Sequence, residues 1–192
     1  MSAAARVHQT LVGYYGLPAQ PPVGDFIDYR RGVRERVLVR EADDALEVRV
    51  ELPEEAEAPA NLDVTCQLIE GVSHFMLIAE RVRRRLPVTE LELELQAEID
   101  KFVLLAVART QPLHPLATAR LRRRLFDAPL FLHEEGEERG DRYRLANRIA
   151  GQLAAHIDVA YLRRRRARAL RRRLRRFFGE GQTAKLELAR AA

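Results

Sequence analysis

The residues best suited to chemistry are the arginines of positions 162–178, in the stretch LRRRRARALRRRLRRFF. A guanidinium group is permanently charged and planar, and its several N–H donors match the oxygens of a phosphate. Binding through such groups releases counterions, so it would depend strongly on salt and little on base sequence. The stretch therefore predicts contact with nucleic acid or another polyanion. The residues predicted to make this contact are Arg163, Arg164, Arg165, Arg166, Arg168, Arg171, Arg172, Arg173, Arg175 and Arg176.

Positive charge is concentrated at the C-terminal end of the chain. Residues 139–192 contain 16 basic and 4 acidic side chains, a net charge of +12, whereas residues 1–138 contain 17 basic and 24 acidic side chains, a net charge of −7. This asymmetry favours a partner of opposite charge, or docking of the basic end on the acidic part of the same chain. All but two of the 33 basic residues are arginine, and a coding bias towards arginine can produce the same pattern without any partner.

Two other kinds of partner fit the same segment. At 100° per residue, Leu170, Leu174 and Phe178 lie on one stripe, which can pair with a second copy of the chain or with an acidic protein partner. The same stripe, ending at Phe177 and Phe178 beside a basic face, also describes a helix lying on an anionic membrane surface. Homo-oligomeric or other protein contact therefore stays open beside nucleic acid, with peripheral membrane contact third.

A second group of residues could form a metal or acid–base site between two predicted helices. Glu70 and His74 are four residues apart on one helix, and Glu94, Glu98 and Lys101 share a face of the next. Di-iron carboxylate bundles use Glu-x-x-His on two helices, whereas this chain has one Glu-x-x-x-His. Ion pairing of Lys101 with its neighbouring glutamates explains the pattern more simply, so no metal, cofactor or catalytic residue is predicted.

The familiar motifs of enzyme catalysis are missing from the sequence. Ser2 and Ser73 are the only serines and neither lies in GxSxG, and no Gly-rich phosphate loop follows a predicted strand. His156 falls in an apolar stripe, where a hydrogen-bonded core histidine is the usual role. The sequence thus favours a non-enzymatic binding protein, with an enzyme or metal site as the lesser alternative.

The cysteine content and the length of the apolar runs indicate the cellular compartment of the protein. Cys66 is the single cysteine, which excludes an intramolecular disulfide and a Cys-based zinc site and fits a reducing interior. The first thirty residues carry no signal-peptide pattern. The longest uninterrupted apolar run, residues 102–108, is far shorter than the roughly 20 residues that a spanning helix needs. We expect a cytoplasmic protein without a transmembrane segment.

The elements that position these residues begin with an arm and a hairpin. Residues 1–34 are predicted to be an extended N-terminal arm, because GYYGLPAQPPVG at 13–24 is rich in glycine and proline. Alternating apolar residues over 36–52 predict a β-hairpin with its turn at 41–45. A lone hairpin is marginal in water, so we expect it to pack beside helices.

Four helices are predicted, at about 62–85, 89–108, 116–126 and 141–178. Asn61 is the expected N-cap of the first, and Thr89 with Glu92 predicts a capping box at the start of the second. The last is expected to be one Arg-rich helix on the order of 55 Å long, because its apolar stripe continues without a phase break. Residues 35–178 then form a single domain of the α+β class, predominantly helical, followed by a C-terminal tail at 179–192.

Overall fold

The computed structural model describes residues 1–42, 45–109, 115–127, 134 and 136–191. Within these ranges it contains seven α-helices and one three-stranded sheet, which confirms the predominantly helical α+β class. The elements are α1 Ala3–Tyr15, β1 Ile27–Arg30, β2 Arg36–Ala42, β3 Ala45–Pro53, α2 Leu62–Arg83, α3 Glu90–Arg109, α4 Pro115–Arg122, α5 Glu138–Ile157, α6 Ala167–Gly179 and α7 Gln182–Arg190.

The chain divides into two compact units, residues 1–88 and residues 89–192. The first unit holds α1, α2 and the sheet, and the second holds α3 to α7. This division differs from the single domain predicted over 35–178. Residues 1–34, predicted to lie outside the domain, belong to the first unit, and residues 179–192 belong to the second.

The sheet of the first unit has the strand order β1-β3-β2. Strands β2 and β3 pair in antiparallel fashion, with Val37 opposite Val50, which confirms the predicted hairpin. Strand β1 pairs in parallel with β3 and places Ile27 beside Val50. Sequence periodicity did not predict β1 because it is only four residues long, IDYR, and none of its residues is buried.

Glycine allows α2 to lie close to the inner face of this sheet. A Cβ atom at Gly71 would meet Val50 Cγ1 at 2.7 Å and Leu52 Cδ2 at 3.0 Å. Both of these strand residues are fully buried. Gly71, which weakens a helix by its backbone freedom, is thus explained by close packing of helix on strand.

The outer face of the sheet carries paired charges. Glu51 is almost fully buried beneath Arg30, whose Nη1 lies 3.2 Å from its carboxylate, and Arg36, which also donates to it. Arg49 donates to Asp28 at 2.6 Å, and this hydrogen bond holds the pKa of Asp28 below its ordinary value. Cross-strand pairs of this kind favour the observed register over a slipped one.

The N-terminal segment is a helix and a strand, so the predicted extended arm over 1–34 is wrong. Ser2 accepts a hydrogen bond from the Ala5 N–H at 3.2 Å and caps α1, which ends at Gly16 with a φ of 63°. His8 of α1 is buried, edge-on to Phe75 with ring centroids 6.0 Å apart. Burial lowers the pKa of His8 below its ordinary value. Of the glycine and proline residues that suggested an arm, Gly13 lies inside α1, Gly16 caps it, and the others follow the helix.

Helix α2 is the core helix of the first unit. Asn61 caps it as predicted, accepting from the Val64 N–H at 2.9 Å. By length and composition α2 could cross a membrane, but 67% of its most apolar window is buried inside the protein. That burial is typical of a core helix, which passes the same test of length and hydropathy.

The second unit begins with the predicted capping box. The Thr89 N–H donates to Glu92 at 3.0 Å, and the Glu92 N–H donates to the Thr89 hydroxyl at 3.2 Å. Leu95, Ile99 and Phe102 of α3 are fully buried, and α3 packs against α5. The next predicted helix is present as α4, extended by a single π-helical turn over Arg123–Asp127.

The long helix predicted over 141–178 is interrupted, so that prediction is wrong. Helix α5 ends in a second π-helical turn, Asp158–Leu162, and α6 starts only at Ala167. Between them the Arg166 N–H donates to the Tyr161 carbonyl at 2.9 Å and the Arg165 N–H to the Leu162 carbonyl at 3.0 Å. These two bonds form a Schellman motif, which ends a helix.

The predicted C-terminal tail also differs, because residues 182–190 form α7. The interruption before α6 was not visible in the sequence, since a Schellman motif usually has glycine at the left-handed position. Here that position is Arg165, with a φ of 53°. An arginine in a run of arginines gives no stop signal, and the apolar stripe keeps its phase through the turn.

The same motif, again with arginine, ends α2. The Leu86 N–H donates to the Arg81 carbonyl at 2.9 Å and the Arg85 N–H to the Val82 carbonyl at 3.0 Å, and Arg85 has a φ of 53°. The left-handed conformation costs an L-residue roughly 1–2 kcal/mol, a cost that glycine avoids. Glycine also makes the unfolded chain more flexible, which offsets part of this gain. We therefore expect Arg85→Gly and Arg165→Gly each to raise the free energy of unfolding by about 0.5–1 kcal/mol.

The matched control is Arg84→Gly, one residue earlier, where φ is −91° and an arginine is unstrained. This change is expected to lower the free energy of unfolding. Urea denaturation followed by circular dichroism measures all three variants. If Arg85→Gly or Arg165→Gly lowers the free energy of unfolding as much as Arg84→Gly does, the left-handed arginines carry no strain.

Candidate anion-binding surface

The ten predicted arginines fall into two groups. Arg163 to Arg166 form the turn before α6, and the other six lie on α6 itself. Five of those six have the spacing i, i+3, i+4, i+7 and i+8, which places them on one face of the helix over about 12 Å of its axis. These five exposed residues are Arg168, Arg171, Arg172, Arg175 and Arg176. We call them the basic face of α6.

The opposite side of α6 is the apolar stripe noted in the sequence. Its four residues keep between 1% and 3% of their surface exposed, so it is buried within the second unit. They are Leu170, Leu174, Phe177 and Phe178. The stripe that was predicted to pair with a second copy, or to enter a membrane surface, is thus already covered by the protein's own residues.

Arg163 has a structural partner, which separates it from the other predicted contacts. Its Nη2 lies 2.8 Å and its Nε 3.2 Å from one oxygen of Asp158, which is fully buried. The Thr118 hydroxyl donates to the other oxygen at 2.9 Å. This hydrogen bonding to Asp158 raises the pKa of Arg163 above its ordinary value. Arg163 therefore neutralises a carboxylate inside the second unit.

Arg173 is the other arginine with a role inside the unit. It is half-buried, and its Nη2 donates to the Leu188 carbonyl of α7 at 2.5 Å. Position 173 lies on the flank of α6, outside the basic face. The structure thus assigns two of the ten predicted arginines to holding the fold together.

Most of the remaining arginines have no anionic partner in the part of the chain that the structure describes. Six of them form no ion pair or hydrogen bond through their side chains with any described residue. They are Arg164, Arg165, Arg166, Arg168, Arg172 and Arg176. All six are exposed. Positive charge on this scale, exposed and unneutralised, creates a field that attracts anions.

The acidic segment at the start of α3 has partners of its own. Glu90 pairs with Arg142 of α5. Glu98 pairs with Lys101 at 2.7 Å, three residues along the same helix, as the simpler explanation predicts for these two residues. Glu92 accepts from the Thr89 N–H in the capping box.

The residues of the alternative metal or acid–base site belong to different units. Glu70 and His74 lie in the first unit, where His74 Nδ1 is 3.2 Å from Glu35 Oε1 and both side chains are nearly buried. Glu94 is buried in the second unit. A site between their helices stays a prediction. His156 is half-buried, edge-on to Tyr161 at 5.7 Å between ring centroids.

Comparison with models of protein families, with curated proteins and with solved structures finds no match to this chain.

Proposed function

We propose that this protein binds nucleic acid through its phosphate backbone, using the basic face of α6 and the turn that precedes it. One observation carries the proposal. Six exposed arginines of this region have no anionic partner among the described residues, while the apolar side of the same helix is buried. A helix that is docked on one side and positively charged on the other offers its charge to an external polyanion.

Helix geometry adds to this charge. The first turn of α6 contains no acidic residue, so nothing there offsets the partial positive charge of the helix N-terminus. Arg164, Arg165 and Arg166 lie immediately before that turn. The positive potential is therefore extended along the turn and the basic face, which suits the regularly spaced charges of a nucleic-acid strand.

Burial of the apolar stripe favours nucleic acid among the three kinds of partner that the sequence left open. Self-association and membrane binding through Leu170, Leu174 and Phe178 would each require the stripe to leave the core of the second unit. At about 25 cal/mol per Å² of apolar surface, exposing several large side chains costs several kcal/mol. Contact through the arginines requires no such rearrangement, and it needs neither a cofactor nor a catalytic group.

The test compares a triple variant with the unchanged protein across a range of salt concentrations. Fluorescence anisotropy of a labelled DNA duplex measures affinity from 50 to 200 mM salt for Arg168→Gln/Arg172→Gln/Arg176→Gln. If each arginine neutralises one phosphate, log K falls with log salt by about 0.9 per contact. We therefore expect the salt slope of the triple variant to be shallower by about 2.7, with a weaker affinity at low salt.

The matched control removes three exposed arginines elsewhere, in Arg31→Gln/Arg120→Gln/Arg139→Gln. It makes the same change in net charge and is expected to keep the salt slope of the unchanged protein. The proposal fails if no salt-sensitive binding is detected, or if the control loses as much affinity as the triple variant. Equal affinity for poly-glutamate and for the duplex would likewise contradict recognition of a phosphate backbone.

A further inference from the structure

A second concentration of arginines lines a cleft in the second unit, away from α6. The cleft has a volume of about 660 Å³ and lies between α5 on one side and the end of α4 with its π-helical turn on the other. Volumes of roughly 300–1,000 Å³ are typical of small-ligand sites. Neither the charge pattern nor the helix periodicity of the sequence singled out this group.

Three guanidinium groups line the cleft. Arg144 and Arg148 lie one turn apart on α5, and Arg122 comes from α4. Arg122 and Arg148 make no side-chain hydrogen bond or ion pair with a residue that the structure describes, and Arg144 donates to the Glu134 carbonyl at 3.1 Å. Asp127 is the acidic residue of the lining, so the cleft carries a net charge of +2.

Like charges four residues apart destabilise a helix by a few tenths of a kcal/mol. The repulsion between Arg144 and Arg148 would be relieved by an anion held between them. Guanidinium groups form paired, charge-assisted hydrogen bonds with phosphate oxygens. The charged part of the cleft is therefore suited to a phosphate group.

An aromatic ring forms another part of the same lining. Phe126 belongs to the π-helical turn, and its Cβ lies 3.2 Å from where a Cβ at Gly151 would stand. Glycine at 151 thus allows the turn to approach α5 closely. Phe102 of the core supports the ring of Phe126, with centroids 6.2 Å apart. Single π-helical turns of this kind are frequent at functional sites.

Two amide side chains complete the polar lining. Asn147 donates to the Leu125 carbonyl at 3.1 Å, a bond that leaves its own carbonyl oxygen available as an acceptor. Gln152 is exposed at the cleft and makes no side-chain hydrogen bond with a described residue. Amides both donate and accept, as the edge of a nucleobase requires.

We infer that this cleft binds a nucleotide, with its phosphates on Arg122, Arg144 and Arg148 and its base against Phe126. The charged, aromatic and amide groups occupy one concave surface, and each matches a different part of such a ligand. Stacking of a base on an aromatic side chain contributes roughly 1–3 kcal/mol. The cleft is independent of the basic face of α6 and of the function proposed for it.

Isothermal titration calorimetry with adenosine 5′-diphosphate tests the inference on the full chain. Arg148 is exposed and without a partner among the described residues, so Arg148→Gln should leave the fold intact. Loss of one charge-assisted contact is expected to weaken binding about tenfold. The control is Arg139→Gln, the same change on the opposite face of α5, which is expected to bind as the unchanged protein does.

Two further ligands separate a nucleotide site from a simple anion site. Adenosine and inorganic phosphate should each bind more weakly than the diphosphate, because each makes only part of the contacts. The inference is overturned if the diphosphate does not bind at millimolar concentration, if inorganic phosphate binds as tightly, or if Arg139→Gln weakens binding as much as Arg148→Gln.

A second variant tests the aromatic wall, and a cross-check separates the two sites. Gly151→Ala pushes against Phe126 and is expected to weaken the diphosphate more than inorganic phosphate, whereas equal weakening of both would contradict the stacking contact. The α6 triple variant should keep its affinity for the diphosphate, and Arg148→Gln should keep its salt slope on duplex DNA. Loss of diphosphate binding in the α6 variant would contradict an independent site.

Discussion

Arg163→Gln is expected to lower the free energy of unfolding by about 3 kcal/mol, although it changes one arginine in a run of four. Asp158 is fully buried, and its partners among the described residues are Arg163 and Thr118. Removing the cation leaves a buried carboxylate that one neutral hydroxyl cannot compensate, and breaking such a pair from one side typically costs 3–5 kcal/mol. We expect the lower end of this range because the Arg163 side chain is 38% exposed, so water already weakens the ion pair.

The neighbouring residue provides the matched control. Arg164 is exposed and has no partner among the described residues, so Arg164→Gln should change stability by less than about 0.5 kcal/mol. In DNA binding we expect the opposite order. Arg164→Gln should weaken the affinity more than Arg163→Gln, because the charge of Arg163 is neutralised by Asp158. Urea denaturation and duplex anisotropy measure the two effects. Equal stability of the two variants would show that Asp158 does not depend on Arg163.

A double variant separates charge from packing at this site. Asp158→Asn removes the buried charge while keeping an oxygen that can accept from Thr118. In the Arg163→Gln background it is expected to recover about half of the lost stability, since no uncompensated charge then remains inside the unit. Additive losses in the double variant would contradict the ion pair as the cause.

This pair shows why the sequence placed Arg163, an arginine with a structural partner, among the predicted anion contacts. The two residues are five apart, and in an ordinary α-helix that spacing does not place side chains side by side. The π-helical turn brings them together, with the Arg163 N–H donating to the Asp158 carbonyl at 2.9 Å. The sequence shows which residues are charged, but only the backbone geometry distinguishes Arg163, which pairs with Asp158, from the exposed arginines beside it.

The elements that were predicted correctly are those with local signals. Asn61 and the Thr89–Glu92 capping box mark the starts of α2 and α3, and alternation marks the β2–β3 hairpin. These features depend on residues within a few positions of one another. Local propensity and patterning are sufficient for them.

The elements that were missed depend on distant contacts or on rare backbone conformations. Strand β1 is too short and polar to be recognised, and it is held by parallel pairing with β3 more than 20 residues later. The break before α6 requires an arginine in the left-handed region, which sequence rules reserve for glycine. Helix α7 was not predicted, because one of its two buried residues is Lys185, and lysine is a residue type that is almost never fully buried unless it is paired.

Lys185→Ala is expected to lower the free energy of unfolding by about 4 kcal/mol. The side chain is fully buried, and its Nζ donates to Gln96 at 2.5 Å and lies 4.7 Å from the centre of the Phe177 ring. Truncation leaves a cavity and loses a cation–π contact. It also leaves the Gln96 oxygen, itself fully buried, without this donor.

Lys185→Met distinguishes volume from charge in the same position. Methionine fills most of the space, so the remaining loss of about 1–2 kcal/mol reflects the missing charge, which removes both the donor to Gln96 and the cation–π contact with Phe177. Thr183→Ala, at an exposed position of the same helix, serves as the control and should be close to neutral. If methionine costs as much as alanine, the charge rather than the packing of Lys185 holds α7.

Lys185→Ala also tests whether burial of the apolar stripe keeps α6 from binding a membrane surface. Helix α7 packs on α6, and the Lys185 side chain lies against both Phe177 and Phe178. When α7 is loosened by Lys185→Ala, part of the apolar stripe becomes exposed beside the basic face, which is the arrangement of an interfacial helix. We expect this variant, unlike Thr183→Ala, to acquire binding to vesicles containing anionic lipid, measured by sedimentation. Equal vesicle binding by the unchanged protein would contradict nucleic acid as the partner favoured by the buried stripe.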